Sequence, residues 1–346
     1  MKTGIVGLPS SGKTTLFKAL VGAGVQVSFD KPNIGNAKVF DPNIRELSNF
    51  FKPKKTTYAE ISFVDIPGVP RGIENTKRKA EIFSHIRQVD ALLEVVDAFS
   101  GEDVETKILD FDSDLILMDL DAVEKRLEKL NKEKLDSNKE MEKKVLEKCL
   151  NELNEEKPIR TIGLTNDEKN IISPFGFFSI KPVLYLLNVK DSEIEKGKFL
   201  KNKLSEQFKF SKTFFLSLPV ELESELSDLI EPELTEFLKS YGLERTALPE
   251  VIEATMKILN YQTFYTVGED EVRAWIIEKG TNARSAAGTI HSDIERGFIA
   301  AEVISIDDFR SVNFSFKEAK AKGSLRIEGE NYVLKEGEIV HFRFNV

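Results

Sequence analysis

The sequence has one cysteine, three histidines and one tryptophan in 346 residues. A lone Cys149 excludes a disulfide framework and a cysteine-built zinc site. His85, His291 and His341 stand far apart, which argues against a histidine-rich metal centre. No apolar run approaches the ~18 residues needed to cross a bilayer, and the N-terminus reads directly into a strand rather than a signal peptide. Basic charge is also in deficit: 49 Lys and Arg face 58 Asp and Glu, a formal net charge of -9. That balance argues against binding nucleic acid with the whole surface, while leaving room for a basic patch on one domain. What remains, 41% hydrophobic and 31% charged residues, is the balance of a soluble folded chain. Its length exceeds what one core usually serves, so a cytoplasmic protein of two or three domains is expected.

The densest chemical information lies near the start. A short apolar run, Thr3 to Gly7, is followed by Leu8, Pro9, Ser10, Ser11, Gly12, Lys13, Thr14 and Thr15. The spacing Gly7-x4-Gly12-Lys13-Thr14 satisfies the Walker A pattern, and Leu16, Phe17, Leu20 and Val21 continue it at helical spacing. Glycines let the backbone wrap an anion, and successive N–H groups with a helix N-terminus favour phosphate. Lys13 is expected at the β and γ phosphates, and the Thr14 hydroxyl on Mg2+. Downstream, Glu60 to Asp65 reads as a strand that ends in a D-x-x-G motif, Asp65 to Gly68. Asp65 is positioned to hold Mg2+ through water, and Gly68 to sense the γ-phosphate.

Three more apolar segments, 91–97, 183–188 and 213–217, alternate with helical patterns at 80–89 and 199–208, the signature of a mostly parallel α/β sheet. Ligands of such sheets bind at the carboxyl ends of strands. Base-binding candidates there are Asn188, Val189 and Asp191, with Ser217, Leu218 and Pro219 across from them. The Asn188 segment is similar to the N-K-x-D motif of GTPases with Val189 in place of lysine, and Asp191 could accept two hydrogen bonds from a guanine edge. The lesser alternative is that Asn188 simply ends its strand.

The residues Gly7–Phe17, Phe63–Gly68, Leu259–Phe264, Gly268–Trp275, Ala287–Asp293, Glu295–Phe298, Glu302–Ser305 and His341–Val346 together resemble the YchF/Obg-like ATPase family of translation-factor-class P-loop proteins, over essentially the whole chain. The resemblance implies a P-loop G domain interrupted by a helical coiled-coil arm and followed by a C-terminal β-grasp (TGS) domain. It also implies binding of a purine nucleotide, ATP or GTP, and association with ribosomes or rRNA through the TGS domain and the arm. The family's base loop usually reads N-x-x-E, so Asp191 stands where Glu is usual. Val69 follows Gly68, a hydrophobic residue that the family shares and that cannot orient water. The family's histidine on the loop after residue 97 is missing from Phe99–Thr106, where Glu105 and Thr106 stand closest to its place. Asp30 and Lys31 replace a switch-one threonine, Ser10 an asparagine associated with a monovalent cation, and Arg71–Lys77 a glycine-rich stretch. Nucleotide binding with slow Mg2+-dependent hydrolysis is expected; the alternative is a hydrolysis-deficient ribosome or RNA adaptor.

The expected domains are 1–112 with 158–262 for nucleotide binding, 113–157 for the arm and 263–346 for the β-grasp. In the arm, Leu120, Val123, Leu127 and Leu130, and later Val145, Cys149 and Leu153, recur at helical steps on either side of a turn at 135–138, the pattern of an antiparallel hairpin. Its charged outer face reads first as solvated surface; Lys132, Lys134, Lys143 and Lys144 are the candidates for a partner contact. A helix is expected over 248–262. Strands are expected at 272–278, 297–304, 324–328, 332–334 and 339–344, with one helix at 285–291. Lys317, Lys320, Lys322, Arg326 and Arg343 are expected on the last two hairpins, and Trp275 in the core.

Overall fold

The computed structural model describes residues 2–22, 24–28, 31–68, 76–134, 136–208 and 213–345, with the backbone alone at 76 and 78. Val69 and residues 71–75 of the second switch, and Phe29 and Asp30 of the first, lie outside the described residues. The described strands are β1 Lys2–Val6, β2 Asn33–Lys38, β3 Lys55–Thr57, β4 Glu60–Asp65, β5 Ala91–Asp97, β6 Val183–Asn188, β7 Thr213–Leu218, β8 Tyr261–Val267, β9 Glu271–Glu278, β10 Phe298–Ser305, β11 Arg326–Glu328 and β12 Glu338–Phe344. Helices used below are α1 Lys13–Val21, α2 Pro42–Phe51, α3 Thr76–Arg87, α4 Val104–Leu130, α5 Ser137–Asn154, α6 Asn166–Ile172, α7 Ile194–Gln207 and α8 Val220–Ser227. Contacts divide the chain into two compact units, Met1–Asn36 with Ser62–Ile258, and Ala37–Ile61 with Leu259–Val346.

The sheet of the first unit has the order β2-β4-β1-β5-β6-β7. From β4 to β7 every pairing is parallel. Parallel strands are covered on both faces and therefore read as continuous apolar runs. β6 shows this: all of Val183–Asn188 is buried, with Val183, Tyr185 and Leu187 in a core shared with α3, α4 and α7. The helix Leu248–Ile258 packs on β5, β6 and β7, and α1 packs on α8. The expected helix over 248–262 stops at Ile258, because Tyr261–Val267 alternates aromatic and β-branched residues and is taken up as a strand.

The helix that carries the arm begins well before the charged stretch, inside the main core. α4 is one helix of 27 residues whose first turns, with Val104, Ile108 and Leu115, belong to the main core. Beyond them Ile116, Val123, Leu127 and Leu130 meet Val145, Leu146, Cys149 and Leu153 of α5. Burial, followed by the Asp119 and Glu168 charges, pushes the Cys149 thiol up to about 12, so it is a packing residue. Arg126 makes a two-pronged pair with Glu142 across the hairpin. At the root, Tyr185 donates to Asp112 Oδ2 at 2.9 Å, and Arg160 donates to Asp112 and, at 3.0 Å, to Tyr185. Asp119 is enclosed by Phe178 N at 2.9 Å, Ser179 N at 2.7 Å and Ser179 Oγ at 2.7 Å. The arm is thus anchored by buried polar contacts at its base and by an apolar seam along its length.

In the second unit the sheet order is β11-β10-β12-β8-β9-β3. An antiparallel β8–β9 hairpin, a helix Ala283–Ile290, and β12 running parallel to β8 and antiparallel to β10 give the expected β-grasp arrangement. Residues 37–61, which the sequence assigns to the nucleotide-binding domain, group here: β3 pairs with β9, and α2 lies on β8 and β9. Asp41 caps α2 by accepting from Asn43 N at 2.9 Å, and its other oxygen accepts the Tyr265 hydroxyl at 2.7 Å. Three expectations are corrected. Lys317, Lys320 and Lys322 lie on the helix Phe316–Lys322, opened by a Ser315 cap, not on a hairpin. Residues 332–334 form one isolated bridge, Asn282 with Val333, and not a strand. Trp275 is only partly buried; its Nε1 donates to Thr266 Oγ1 at 3.0 Å and Arg273 stacks 3.8 Å from its ring.

Removing one member of a buried ion pair strands the other. Asp112→Ala is expected to lower unfolding free energy by about 3–5 kcal/mol, read by urea denaturation. A loss near zero would show that the Arg160 contact does not anchor the arm.

Candidate functional site

β1 feeds directly into a loop whose shape depends on glycine. Gly7 has φ 138° and a Cβ there would fall 2.5 Å from Val95 O; Gly12 has φ 101° and a Cβ there would fall 2.5 Å from Asn188 Nδ2. No L-residue side chain fits either place without displacement. α1 then starts with no side chain capping its first turn, which leaves its N–H groups for an anion. Lys13 folds back over the loop, and its ammonium donates to Leu8 O at 2.6 Å. Burial lowers the Lys13 pKa to about 8, against the opposing pull of Asp65 and Glu94. Pro9 and Ser10 are exposed on the loop's rim, Ser11 is buried beneath it, and Thr15 is half-buried in the first turn of α1.

Thr14 and Asp65 come together as expected: Thr14 Oγ1 donates to Asp65 Oδ2 at 2.9 Å. A residue the sequence reading did not single out joins them. Asn33 Nδ2 donates to the same Asp65 oxygen at 3.1 Å and to Ser28 O at 2.9 Å, while Asn33 Oδ1 accepts from Ser28 N at 2.7 Å. The signal available was its place just after the switch-one segment. Gly68 lies on the loop itself: a Cβ there would be 2.8 Å from Gly7 O and 3.0 Å from both Lys13 Nζ and Pro9 N. Only glycine permits that approach.

Hard oxygen donors from Thr14 and Asp65 suit Mg2+. Among the described residues no group of three or more His, Cys, Asp or Glu converges to hold a metal alone. A divalent ion here would complete its shell with phosphate oxygens and water, which fits a site built around a polyphosphate.

The base-reading candidates divide. Asn188 does not merely end β6: its Nδ2 donates to Ser11 O at 2.9 Å and its Oδ1 accepts from Val220 N at 3.1 Å. It braces the phosphate loop against the start of α8. Val189 is buried, with its N–H donating to Leu218 O at 3.3 Å. Asp191 is exposed and accepts from Ser192 N at 2.7 Å. Leu218 and Pro219 are buried beside them, and the Ser217 hydroxyl faces Gly197 on α7, so closely that a Cβ at Gly197 would collide with it.

Glu105 and Thr106 are not brought to this cluster by any hydrogen bond among the described residues. Thr106 donates from N and Oγ1 to Asp103 at 2.9 and 2.8 Å, as part of the α4 cap, and Glu105 accepts from Gln207. Both stand in the first turn of α4, and the loop before that helix is fastened by Lys107. That buried ammonium donates to Asp97 O at 2.8 Å, Asp97 Oδ2 at 3.2 Å and Ser100 Oγ at 2.9 Å. Beneath the site Glu94 lies on β5 opposite Val6 of β1. Burial and the Asp112 charge raise its carboxyl well above the ordinary range.

Asn188→Ala removes two hydrogen bonds to the loop and is expected to destabilise the nucleotide-free protein by about 1–3 kcal/mol, read by thermal or urea unfolding. A residue that only touched a base would leave nucleotide-free stability unchanged.

A family model described as a 50S ribosome-binding GTPase matches residues 2–152, and the YchF-GTPase C-terminal model, described as a protein of unknown function, matches residues 261–345. The ribosome-binding ATPase YchF of Bacillus subtilis strain 168 is 35% identical over 366 aligned positions, covering 100% of both chains. The ribosome-binding ATPase YchF of Haemophilus influenzae is 36% identical, over 100% of this chain and 99% of its own. The structure of the Schizosaccharomyces pombe YchF GTPase superposes with a TM-score of 0.86 at 29% identity, over 99% of this chain and 97% of that one. Matched along their full length at this level of identity, the chain belongs to the YchF family.

Proposed function

We propose that the chain binds a purine nucleoside triphosphate with Mg2+ at the Gly7–Thr15 loop, hydrolyses it slowly, and uses the bound state as a ribosome-associated switch. The observation that carries this reading is the convergence of Lys13, Thr14, Asp65, Asn33 and Gly68 on an uncapped helix N-terminus. Bound Mg2+ would be held by Thr14 and, through water, by Asp65, and would neutralise charge on the β and γ phosphates. Lys13 gives up the Leu8 carbonyl for phosphate oxygens, and Gly68, already against Lys13, shifts when a γ-phosphate enters. Asn33 links Asp65 to Ser28, so the same event reaches the first switch segment. The base would lie between residues 188–191 and 217–219. The buried Val189 cannot pack over it as a lysine would, and the choice between ATP and GTP falls to backbone groups and Asp191.

The relatives' names supply ribosome binding and ATPase activity as the biological setting. The TGS-like sheet and the arm are the proposed contacts, with exposed Lys132, Lys134 and Lys144 on the arm; Lys143 faces Glu147 at 3.9 Å. Because residues 37–61 pack with the C-terminal unit, deletion from residue 263 onward would uncover α2, and charge reversal is the cleaner probe. No helix of the described chain is long and apolar enough to cross a membrane, and a cytoplasmic location is part of the proposal. A second reading, an adaptor that binds nucleotide without hydrolysing it, is favoured by the local engagement of Glu105 and Thr106.

Lys13→Ala is expected to weaken triphosphate binding roughly 10- to 100-fold, the worth of one charged hydrogen bond, by calorimetry; unchanged affinity would refute the site. The ammonium form is the one that binds phosphate, and in the free protein it is lost above a pKa of about 8. Affinity is therefore steady below that pH and falls as pH rises through it, a trend Lys13→Ala abolishes. Single-turnover phosphate release with and without ribosomes separates the two readings: slow release supports the switch, and none under either condition supports the adaptor. Competition of ATP against GTP measures the base preference directly.

A further inference from the structure

At the opposite end of the same sheet, a concavity of about 400 Å³ opens beside Asp90 and Lys181, which precede β5 and β6. The phosphate loop follows the carboxyl end of β1, so the two places are separated by the length of the strands. Three cations, Arg87, Lys169 and Lys181, line this second concavity against one carboxylate, Asp90. In a chain with a net charge of -9 such a local excess has to be maintained against the field of the whole surface.

Two of the three cations are held in place. The Arg87 guanidinium stacks 5.0 Å from the Phe178 ring, and its stem runs along Gly176, where a Cβ would come within 3.3 Å of Arg87 Cγ. Gly176 has φ 58°, so the turn that makes room for the arginine is one that favours glycine. Lys181 Nζ donates to Val89 O at 2.6 Å and Arg87 O at 3.3 Å, closing the C-terminal end of α3. An ammonium has three donors, and two are used. Lys169 is half-buried on α6; neither it nor Arg87 has an ion pair among the described residues. Asp90 is occupied, its Oδ2 accepting from Lys2 N at 2.7 Å. Buried Ile172 and Phe177 contribute an apolar wall.

We propose that this concavity is a phosphate-binding site, distinct from the nucleotide loop and independent of how that loop is read. A planar fork beside two ammonium groups matches the several oxygens of a phosphate better than a single carboxylate. The apolar wall accommodates whatever the phosphate is attached to. The group could come from a small organic phosphate or from the backbone of single-stranded RNA.

The test uses the full-length protein with the nucleotide loop saturated by a non-hydrolysable triphosphate and Mg2+. Inorganic phosphate, ribose 5-phosphate and a short single-stranded RNA are each titrated by equilibrium dialysis. Saturable binding is expected, weakened about tenfold or more, at least 1.4 kcal/mol, by Arg87→Glu and by Lys169→Glu, with triphosphate affinity unchanged. Lys169 is half-buried on α6, away from the Phe178 and Gly176 contacts of Arg87, so Lys169→Glu keeps the test decisive if Arg87→Glu fails to fold. Response to the small phosphates identifies a small ligand, and response to RNA alone identifies a backbone contact; both support the site. Absence of saturable binding of all three, or binding indifferent to the charge reversals, overturns it. Because Lys13→Ala leaves this second binding intact, failure of the nucleotide reading would not be mistaken for failure here.

Discussion

The amide of Asn188 is the contact on which the Gly7–Thr15 loop rests. It stands at the end of β6, reaches across to Ser11 O and receives Val220 N, so one side chain fastens the loop to β6 and to the start of α8. The contact requires that Gly12 have no side chain, since a Cβ would fall 2.5 Å from Asn188 Nδ2. Gly7 is under the same constraint from Val95 O, and Gly68 from Gly7 O. Three glycines and an asparagine thus let four pieces of the chain approach one another closely around the uncapped start of α1. Once that frame is set, Lys13 has a carbonyl to fold against and Thr14 has an acid to meet.

The same unit uses buried charge at a second place. Asp112, Arg160 and Tyr185 join α4, the chain returning from the arm, and β6. Glu94 lies close enough that the Asp112 and Lys13 charges both act on it. Polar contacts of this kind cost desolvation that an apolar cluster would avoid. They specify one geometry where many apolar packings would serve, which suits the root of a helix that extends from Val104 to Leu130.

Much of this was legible from the residues alone, for identifiable reasons. β1, β4, β5 and β6 are fully or mostly buried strands, and burial on both faces leaves continuous apolar runs; β7, at the sheet edge, is only partly buried yet keeps an apolar run. The Walker A spacing is rigid because backbone geometry leaves little freedom in it. Where the reading fell short, the local signal was weak or shared by two structures. β2, Asn33–Lys38, alternates in burial but not in hydropathy, with Asn33 inward and Ile34 exposed, so its strand character comes from its neighbour β4. Residues 316–322 carry lysines compatible with helix or hairpin, and the Ser315 cap decides between them. Asn188 was visible as a candidate, yet its bracing role depends on Ser11 and Val220, which are distant in sequence. Asn33 meets Asp65 across 32 residues, a pairing that no short window contains, and Lys107 reaches its partners only because the chain turns between Asp97 and Asp103.

The path of residues 37–61 bears on how the protein can be made. After β2 the chain leaves the first unit, contributes α2 and β3 to the second, and returns as β4, the strand that delivers Asp65. Ile44 and Leu47 of α2 are fully enclosed in the finished protein, but the sheet beneath them is made from residues 261 onward. During synthesis that apolar helix emerges early and waits for almost the entire polypeptide before its cover exists. Vectorial maturation, one half completed before the other begins, is closed to this topology, and a nascent chain truncated late would keep an intact phosphate motif beside an unsheltered hydrophobic helix.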